Sequence, residues 1–463
     1  MSIRKDRILY DWVTIGIYIS LLCIGWMAYY AVTYTQNEGR DFFDLSTPIT
    51  KQTVFTVTAL LVFITVTFID WKFWQNFAYI FYGAGLVLLI LVLIFGSEIK
   101  GAKAWFSFGG FSFQPAEIAK LGTALALSAY LSNFKTDLKV RQYQLVAIGL
   151  ILLPVFLILL QPDAGSALTF FSFFLLLFVA GLNEIYFLIV AVLIATFILS
   201  IVFPLEYFEL GLLIIIPIIA WYFSKRFPLS WVVLVLSLAA VVVSFLYLSY
   251  WYWIGIGVLG SLVFLILLWR SRQERLSLAL LSSMILLTGF ALMTTQLFLS
   301  LDKHQQERIN VWLKPSECDP RGTLYNILQS KVAIGSGGFW GKGFLKGNMT
   351  KLRFVPEQST DFIFSTIGEE HGFIGSVLVV TLFTILMLRI MRTAESISTK
   401  FISYYSMGLA GLLLVHVLVN IGMTIGLMPI IGIPLPFISK GGSSLIGFSL
   451  MLGIYIRMQA KPK

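Results

Sequence analysis

Apolar runs of about 20 residues, each closed by a short polar stretch, recur from Trp12 to the end of the chain, and about that length of helix crosses a bilayer. The pattern predicts helical spans at 12–34, 52–70, 76–96, 115–132, 144–160, 165–181, 184–203, 208–223, 229–249, 251–269, 276–300, 364–391, 402–428 and 443–458, about fourteen in all. One polar interruption stands out. Residues 301–363 carry Glu307, Arg308, Asp319, Arg321, Lys331, Lys342, Lys346, Lys351, Arg353, Glu357 and Asp361 before apolar sequence resumes. The hydropathy therefore divides the chain into a membrane core at 1–204, a block of about four spans at 205–300, a long loop at 301–363 before the twelfth span, and a second membrane core at 364–463. An even number of spans in the 205–300 block leaves everything downstream on its original side.

Composition changes the picture only by sharpening it. The chain is 58% hydrophobic and 12% charged, with mean hydropathy +0.88, more apolar than any water-soluble core requires. It reads as an all-α polytopic membrane protein. The net charge of +10 sits in short loops between spans, where it sets topology and meets headgroups, so nucleic acid is not indicated. Arg4/Lys5/Arg7, Lys72, Lys135/Lys139/Arg141, Lys225/Arg226, Arg270/Arg272/Arg275, Arg389/Arg392/Lys400 and Arg457/Lys461/Lys463 fall on alternate loops, which puts them and the N-terminus in the cytoplasm and the long loop outside. Lys100, Lys103 and the long loop's own cations break a simple count, and outward cations in quantity point to an anionic ligand there. The first apolar segment is too long for a signal-peptide core and is read as a retained span. Aromatic pairs and clusters such as Tyr29-Tyr30, Tyr207-Phe208 and Tyr250 to Trp253 read as interfacial anchors. Cys23 and Cys318 cannot build a disulfide framework, and no metal-ligand spacing is present.

Five segments could carry chemistry, and four or five of them face outward together. In W-F-S-F-G-G-F-S-F-Q-P-A-E-I-A-K-L (105–121), Pro115 suits a first helical turn and Glu117 shares a face with Lys120. They read either as an intrahelical ion pair or as a carboxylate and ammonium at a cavity mouth. In L-Q-P-D-A-G-S (160–166), Asp163 caps the following helix. In Q-S-K-V-A-I-G-S-G-G-F-W-G-K-G (329–343), glycine N–H groups are placed to cradle an oxyanion, with a flexible linker as the plainer reading. In P-E-Q-S-T-D-F-I-F-S-T-I-G-E-E-H-G-F (356–373), a helix from Thr360 would put Asp361, Ser365 and Glu369 on one face, the carboxylates about 12 Å apart along its axis. Asp361 is a helix N-terminal carboxylate or, as an ionisable group at a membrane boundary, a site. His371 reads as a packing residue. In G-I-P-L-P-F-I-S-K-G-G-S-S-L (432–445), the prolines and glycines forbid an unbroken helix, and irregular backbone at membrane depth must be buried or line a wet cavity.

Taken together, F-Q-P-A-E-I-A-K, L-Q-P-D-A-G-S-A, Y-N-I-L-Q-S-K-V-A-I-G-S-G-G-F-W-G-K-G, P-E-Q-S-T-D-F-I-F, G-E-E-H-G-F-I-G and P-L-P-F-I-S-K-G-G-S-S-L resemble the SEDS family of bacterial cell-wall polymerases, the RodA/FtsW/SpoVE group. The likeness covers 1–204 and 301–463, and the third motif is closer to the RodA form. It implies a helical bundle of ten core spans, to which 205–300 adds four. Ser359 stands where many relatives have His, and Lys440 where many have Tyr.

The resemblance implies a peptidoglycan glycosyltransferase of the bacterial inner membrane that polymerises lipid II during elongation. Asp361 is then the catalytic base. Glu117, Lys120, Arg308, Lys331, Lys342, Glu357, Thr360, Lys440 and Ser443 are substrate-binding positions. No resident protein-held metal is implied, though a divalent cation such as Mg or Mn could share the neutralisation of the undecaprenyl diphosphate. The implied partners are a class B penicillin-binding protein and elongation proteins such as MreC and MreD. A lipid-linked oligosaccharide flippase, or another polyprenyl-diphosphate glycosyltransferase, is the competing class.

Overall fold

The computed structural model describes residues 8–34, 47–99, 101–108, 111–223, 230–247, 250–270, 274–319 and 322–462. Arg4, Lys5, Arg7, Lys100, Lys225, Arg226, Arg272, Arg321 and Lys463 lie outside the described residues, as do the side chains of Arg270 and of Tyr250 to Trp253. The described residues are mostly helical, and a helix lies over every expected span. Two compact units are resolved, one of residues 1–183 with 318–463, the other 184–317.

In the first unit, α1 (Trp12–Thr33), α2 (Pro48–Thr67), the short α3 (Trp71–Asn76) and α4 (Ala78–Phe95) lead into a small antiparallel sheet, and α5 (Pro115–Ser132) follows it. Next come α6 (Arg141–Leu159) and one span broken at Phe171 into α7 (Ala164–Phe170) and α8 (Ser172–Val179). The second unit holds α9 (Glu184–Val202), α10 (Leu205–Phe223), α11 (Ser230–Tyr247), α12 (Tyr250–Arg270), α13 (Glu274–Ser300) and α14 (Lys303–Leu313). The first unit resumes with α15 (Thr323–Ser336), α16 (Asn348–Lys351), α17 (Ile363–Ser396), α18 (Lys400–Thr424) and α19 (Gly442–Gln459). Among the described residues, eight helices are long and apolar enough to cross a membrane. The protein is a multi-pass helical membrane protein.

Helix starts follow local chemistry. Pro48 and Pro115 occupy first-turn positions, where a missing N–H leaves nothing unsatisfied. Asp11, Thr47, Asp70 and Asp163 each accept a first-turn N–H. Packing is close where residues are small: a Cβ on Gly85 would sit 2.9 Å from the Ala119 Cα, and one on Gly122 would press on the backbone of Phe81 and Tyr82. Glycines there let α4 and α5 approach backbone to backbone, the kind of contact that holds helices together in lipid. Helix α18 is an interior helix: 67% of its apolar window is buried, against 28% for α4. Tyr18 of α1, fully buried, donates to Ser449 of α19 at 2.8 Å.

Three features depart from the sequence reading. The motif run before α5 is not loop: β2 (Ser97–Ile99), β3 (Ala102–Phe108) and β4 (Phe111–Phe113) form a three-stranded antiparallel sheet in the order β2-β3-β4. Helix α17 starts at Ile363, not Thr360, which leaves Asp361 in the preceding turn. The second unit is wider than 205–300, because α9 packs on α13 and α14. Within it, Phe208, Leu212, Ile216, Leu265, Leu280 and Ala291 form a core.

One end of the first unit gathers both chain ends. Ile8 and Leu9 pair with Lys461 and Pro462 as β1 and β5, Arg389 binds Asp11 at 2.7 Å and Arg457 lies 4.0 Å from Asp70. The N-terminal, 70–72, 389–400 and C-terminal segments are therefore neighbours, the grouping that alternation of basic loops requires.

Candidate active site

Away from that end, three irregular segments meet. Gly165, in the first turn of α7, has no room for a Cβ because the Ile431 carbonyl would lie 2.7 Å from it. Gly432 is left-handed (φ 75°), and a Cβ there would lie 3.4 Å from Asp361 Oδ2. The Asp361 carboxylate thus rests against the backbone of the 430–441 segment, half-buried. Its backbone is tethered as well: Asn420 Nδ2, on α18, donates to the Asp361 carbonyl at 2.8 Å and to the Ile433 carbonyl at 2.7 Å.

The turn carrying Asp361 is closed from both sides. Glu357 accepts the Phe362 N–H on its carbonyl at 3.1 Å, and its carboxylate accepts the Thr360 hydroxyl at 2.9 Å. The Thr360 carbonyl accepts the Ser439 hydroxyl at 2.6 Å, and the Ser359 carbonyl accepts the Lys440 N–H at 3.1 Å. Ser439 also takes the Leu435 N–H at 2.9 Å, and the buried Phe437 beside it is left-handed (φ 65°). A non-glycine residue held there costs about 1–3 kcal/mol and persists only when its surroundings over-determine it. The 430–441 segment is therefore a rigid non-helical support, and Ser443 lies buried in the first turn of α19 just beyond it.

Glu117 and Lys120 form a buried ion pair at 2.9 Å, 3% and 1% exposed. The intrahelical reading holds, and the pair is buried inside the bundle rather than open to water. Lys120 also reaches His416 Nε2 at 3.3 Å, and His416 Nδ1 reaches the Pro434 carbonyl at 3.1 Å. A carbonyl only accepts and an ammonium only donates, so Nδ1 carries the proton and the imidazole is neutral. Glu117, Lys120 and His416 thus join α5 and α18 to the same 430–441 segment.

The glycine-rich segment after α15 does not cradle an anion. Helix α17 breaks at Gly372 (φ 63°), which would orphan the N–H groups of Phe373 and Ile374 and the carbonyls of Glu369 and Glu370. The glycine segment takes up all four. Lys342 and Gly343 donate to Glu369 and Glu370 at 3.1 and 2.9 Å, while Phe373 and Ile374 donate to Gly338 and Phe339 at 2.9 and 3.3 Å. Those N–H groups are committed to carbonyls, so the oxyanion expectation is corrected. The shared face of Asp361, Ser365 and Glu369 is corrected too. Glu369 is fully buried, and its carboxylate accepts from Lys342 Nζ at 2.7 Å, from Met349 N and Thr350 N at 2.9 and 2.8 Å, and from the Thr350 hydroxyl at 2.8 Å.

Lys331 is exposed on α15 with its stem across Gly426, and Arg308 belongs to α14 of the second unit. Arg353, part of the loop's charge but not singled out in the sequence, lines a pocket of about 240 Å³ with Lys440, Tyr29, Thr33, Gln358 and Ser359. Arg353, His416 and Asn420 are what sequence reasoning missed. Each is a single residue whose partners lie far away in the chain.

A family model described as cell cycle protein, spanning FtsW, RodA and SpoVE, matches residues 11–209 and 202–463. The second stretch runs through the 205–300 block. The chain is 30% identical over 460 residues to peptidoglycan glycosyltransferase RodA of Treponema pallidum (strain Nichols), 98% of each chain being covered. It is 27% identical over 440 residues to peptidoglycan glycosyltransferase MrdB of Escherichia coli (strain K12), covering 94% of this chain and 92% of that one. Among solved structures, one described as structural coordination of polymerization and crosslinking by a peptidoglycan synthase complex superposes with TM-score 0.61 at 28% identity, over 97% of each chain. The rod shape determining protein RodA of Thermus thermophilus superposes with TM-score 0.55 at 25% identity, over 97% of this chain and 96% of that one. With the motifs, the fold and these likenesses in agreement, the chain belongs to the FtsW–RodA–SpoVE family of cell cycle proteins.

Proposed function

We propose that the protein is a peptidoglycan glycosyltransferase that polymerises lipid II at the outer face of the bacterial inner membrane during elongation, with Asp361 as general base. The observation that carries the assignment is the placing of Asp361: a half-buried carboxylate outside any helix, its backbone held by Asn420 and its side chain beside Gly432. A carboxylate positioned by a rigid support is what proton abstraction needs.

The reaction is a single displacement. The 4-hydroxyl oxygen of the acceptor GlcNAc forms a bond to C1 of the MurNAc at the growing end, its proton passes to Asp361, and the bond from C1 to undecaprenyl diphosphate breaks with inversion. One base is enough; the paired carboxylates of a retaining hydrolase are not required. The Glu357 carboxylate is engaged by the Thr360 hydroxyl and shapes the turn that holds the base.

Among the described residues no three His, Cys, Asp or Glu groups converge. No step is therefore routed through a metal. A Mg or Mn ion arriving with the diphosphate would need one or two carboxylates from the protein.

The RodA-like motif form supports the elongation role. A class B penicillin-binding protein is the proposed partner, supported by the likeness to a synthase complex that coordinates polymerization with crosslinking. MreC and MreD would be neighbours in that setting. Alternation of the basic loops supports a cytoplasmic N-terminus.

The test is polymerisation of purified lipid II by the partner-bound protein, wild type against Asp361→Asn. Loss of about 10²–10⁴-fold is expected for a removed general base. A normal rate in a folded, partner-bound variant overturns the assignment.

A further inference from the structure

The substrate proposed above is anionic, and two of the cations nearest the motifs are already neutralised: Lys120 by Glu117 and Lys342 by Glu369, at 2.9 and 2.7 Å. Lys331 is exposed on α15, and Arg308 belongs to the other unit. Among the described residues the first unit also holds a polar pocket walled by two cations. Arg353 and Lys440 line it together with Tyr29 and Thr33 from the end of α1, Pro48 from the start of α2, and Pro356, Gln358 and Ser359 from the loop that leads to Asp361.

Three details make this more than a polar dent. Arg353 is held in the left-handed region (φ 55°), a conformation arginine rarely adopts, and backbone strain of this kind collects at ligand clamps. Lys440 stands over the Tyr29 ring at 5.8 Å, and its backbone N–H is fixed to the Ser359 carbonyl at 3.1 Å, two residues before the proposed base. At about 240 Å³ the pocket has room for a phosphate or diphosphate group with water around it. A guanidinium offers a planar fork and an ammonium a point charge, which together suit a tetrahedral oxyanion.

We infer that this pocket is an oxyanion subsite for a phosphate or diphosphate ester, with Arg353 and Lys440 as its cationic walls. The inference deepens the proposed glycosyltransferase reading and takes the source of the group from it: the isoprenyl diphosphate of the substrate. A bilayer phospholipid offers the same chemistry from another source. Arg353 and Lys440 bind and orient the anion in this picture and take no proton.

The experiment titrates the purified full-length protein in detergent with undecaprenyl diphosphate, phosphatidylglycerol and the uncharged undecaprenol, reading bound lipid by native mass spectrometry. Undecaprenyl diphosphate is expected to bind best. Arg353→Gln and Lys440→Gln are each expected to weaken it about tenfold, the loss of one charge-assisted contact, and Lys440→Arg to restore it. Both side chains are exposed, so an unchanged melting temperature verifies the fold. Equal binding of phosphatidylglycerol, weakened by the same substitutions, keeps the oxyanion subsite and assigns it to headgroups. Undecaprenol binding as tightly as the diphosphate, or variants binding the diphosphate like wild type, overturns the inference. Asp361→Asn is titrated alongside: retained lipid with normal polymerisation refutes the base assignment and leaves the subsite standing.

Discussion

Asn420 and Asp361 are 59 residues apart, and the link between them passes through backbone: the Asn420 amide nitrogen donates to the Asp361 carbonyl at 2.8 Å while also holding the Ile433 carbonyl. One buried side chain on the interior helix thus fixes the base-bearing turn and the non-helical segment relative to each other. Asn420→Ala would leave two carbonyls without their donor, a cost of about 1–3 kcal/mol for each such group that stays buried. Lipid II polymerisation is expected to fall at least about tenfold at substrate saturation, since misplacing a catalytic group by an ångström is costly. Asn420→Asp should be worse than Ala, because a carboxylate facing two carbonyls repels both. Wild-type rates from either variant would mean that the tether does not position the base.

The exchange of hydrogen bonds at the α17 break makes a prediction with two signs. A Cβ on Gly372 would meet the Gly341 nitrogen, and its φ of 63° is unfavourable for alanine. Gly372→Ala should therefore lower stability by at least about 1–3 kcal/mol from backbone strain alone. Gly335, in the last turns of α15, has nothing within 4 Å of a Cβ. Gly335→Ala should raise stability by about 0.5–1 kcal/mol, by helix propensity and reduced unfolded-state entropy. Thermal unfolding of the two variants in detergent reads both signs at once.

The membrane class and the helix positions were legible because a bilayer imposes length and apolarity on every span, so the hydropathy alone places them. The five polar segments were legible because polar, glycine- and proline-rich runs stand out against an apolar background. What stayed hidden depended on pairing at a distance. The glycine run at 337–343 looks like an anion cradle until Gly372 is seen to break α17 and offer it carbonyls to fill. His416 is the lone histidine of a largely apolar helix, and its partner Lys120 is 296 residues away. The sheet at 97–113 did have a local signature, the alternation of Phe and Ser on either side of Gly-Gly, which reading the stretch as a loop into α5 passed over. The start of α17 slipped by three residues because Glu357, not Thr360, closes the turn before it.

Asp11 gives a pH dependence with a definite sign. Burial pushes its carboxyl up, but hydrogen bonds from Arg389 and Thr14 outweigh this and hold it below the ordinary value of 3.8. A carboxyl that binds protons less readily in the folded than in the unfolded state adds stability above the unfolded value. That contribution disappears as pH falls from about 3.8 through the lower folded value. Melting temperature should therefore drop across that acid window in wild type and less in Asp11→Asn. At pH 7 a double-mutant cycle of Asp11→Asn with Arg389→Gln should give a coupling of about 0.5–1 kcal/mol, since both groups keep contact with solvent. Zero coupling, or equal acid sensitivity in wild type and variant, would rule out this pair as the cause.

The buried His416 can be dissected one nitrogen at a time. An asparagine amide reaches the position of Nδ1, and a glutamine amide reaches that of Nε2. His416→Asn should keep a donor for the Pro434 carbonyl and remove the acceptor for Lys120. His416→Gln should keep the acceptor and release the carbonyl. Each is expected to cost about 1–3 kcal/mol, the range for one buried partner left unsatisfied. His416→Leu removes both contacts and should cost more than either, with the Glu117–Lys120 pair deprived of its third member. The two single losses separate in function. Freeing Pro434 loosens the segment that supports Asp361, so Gln should slow polymerisation more than Asn for the same loss of stability. If Asn and Gln lower activity only in proportion to stability, His416 holds the bundle together without positioning the site.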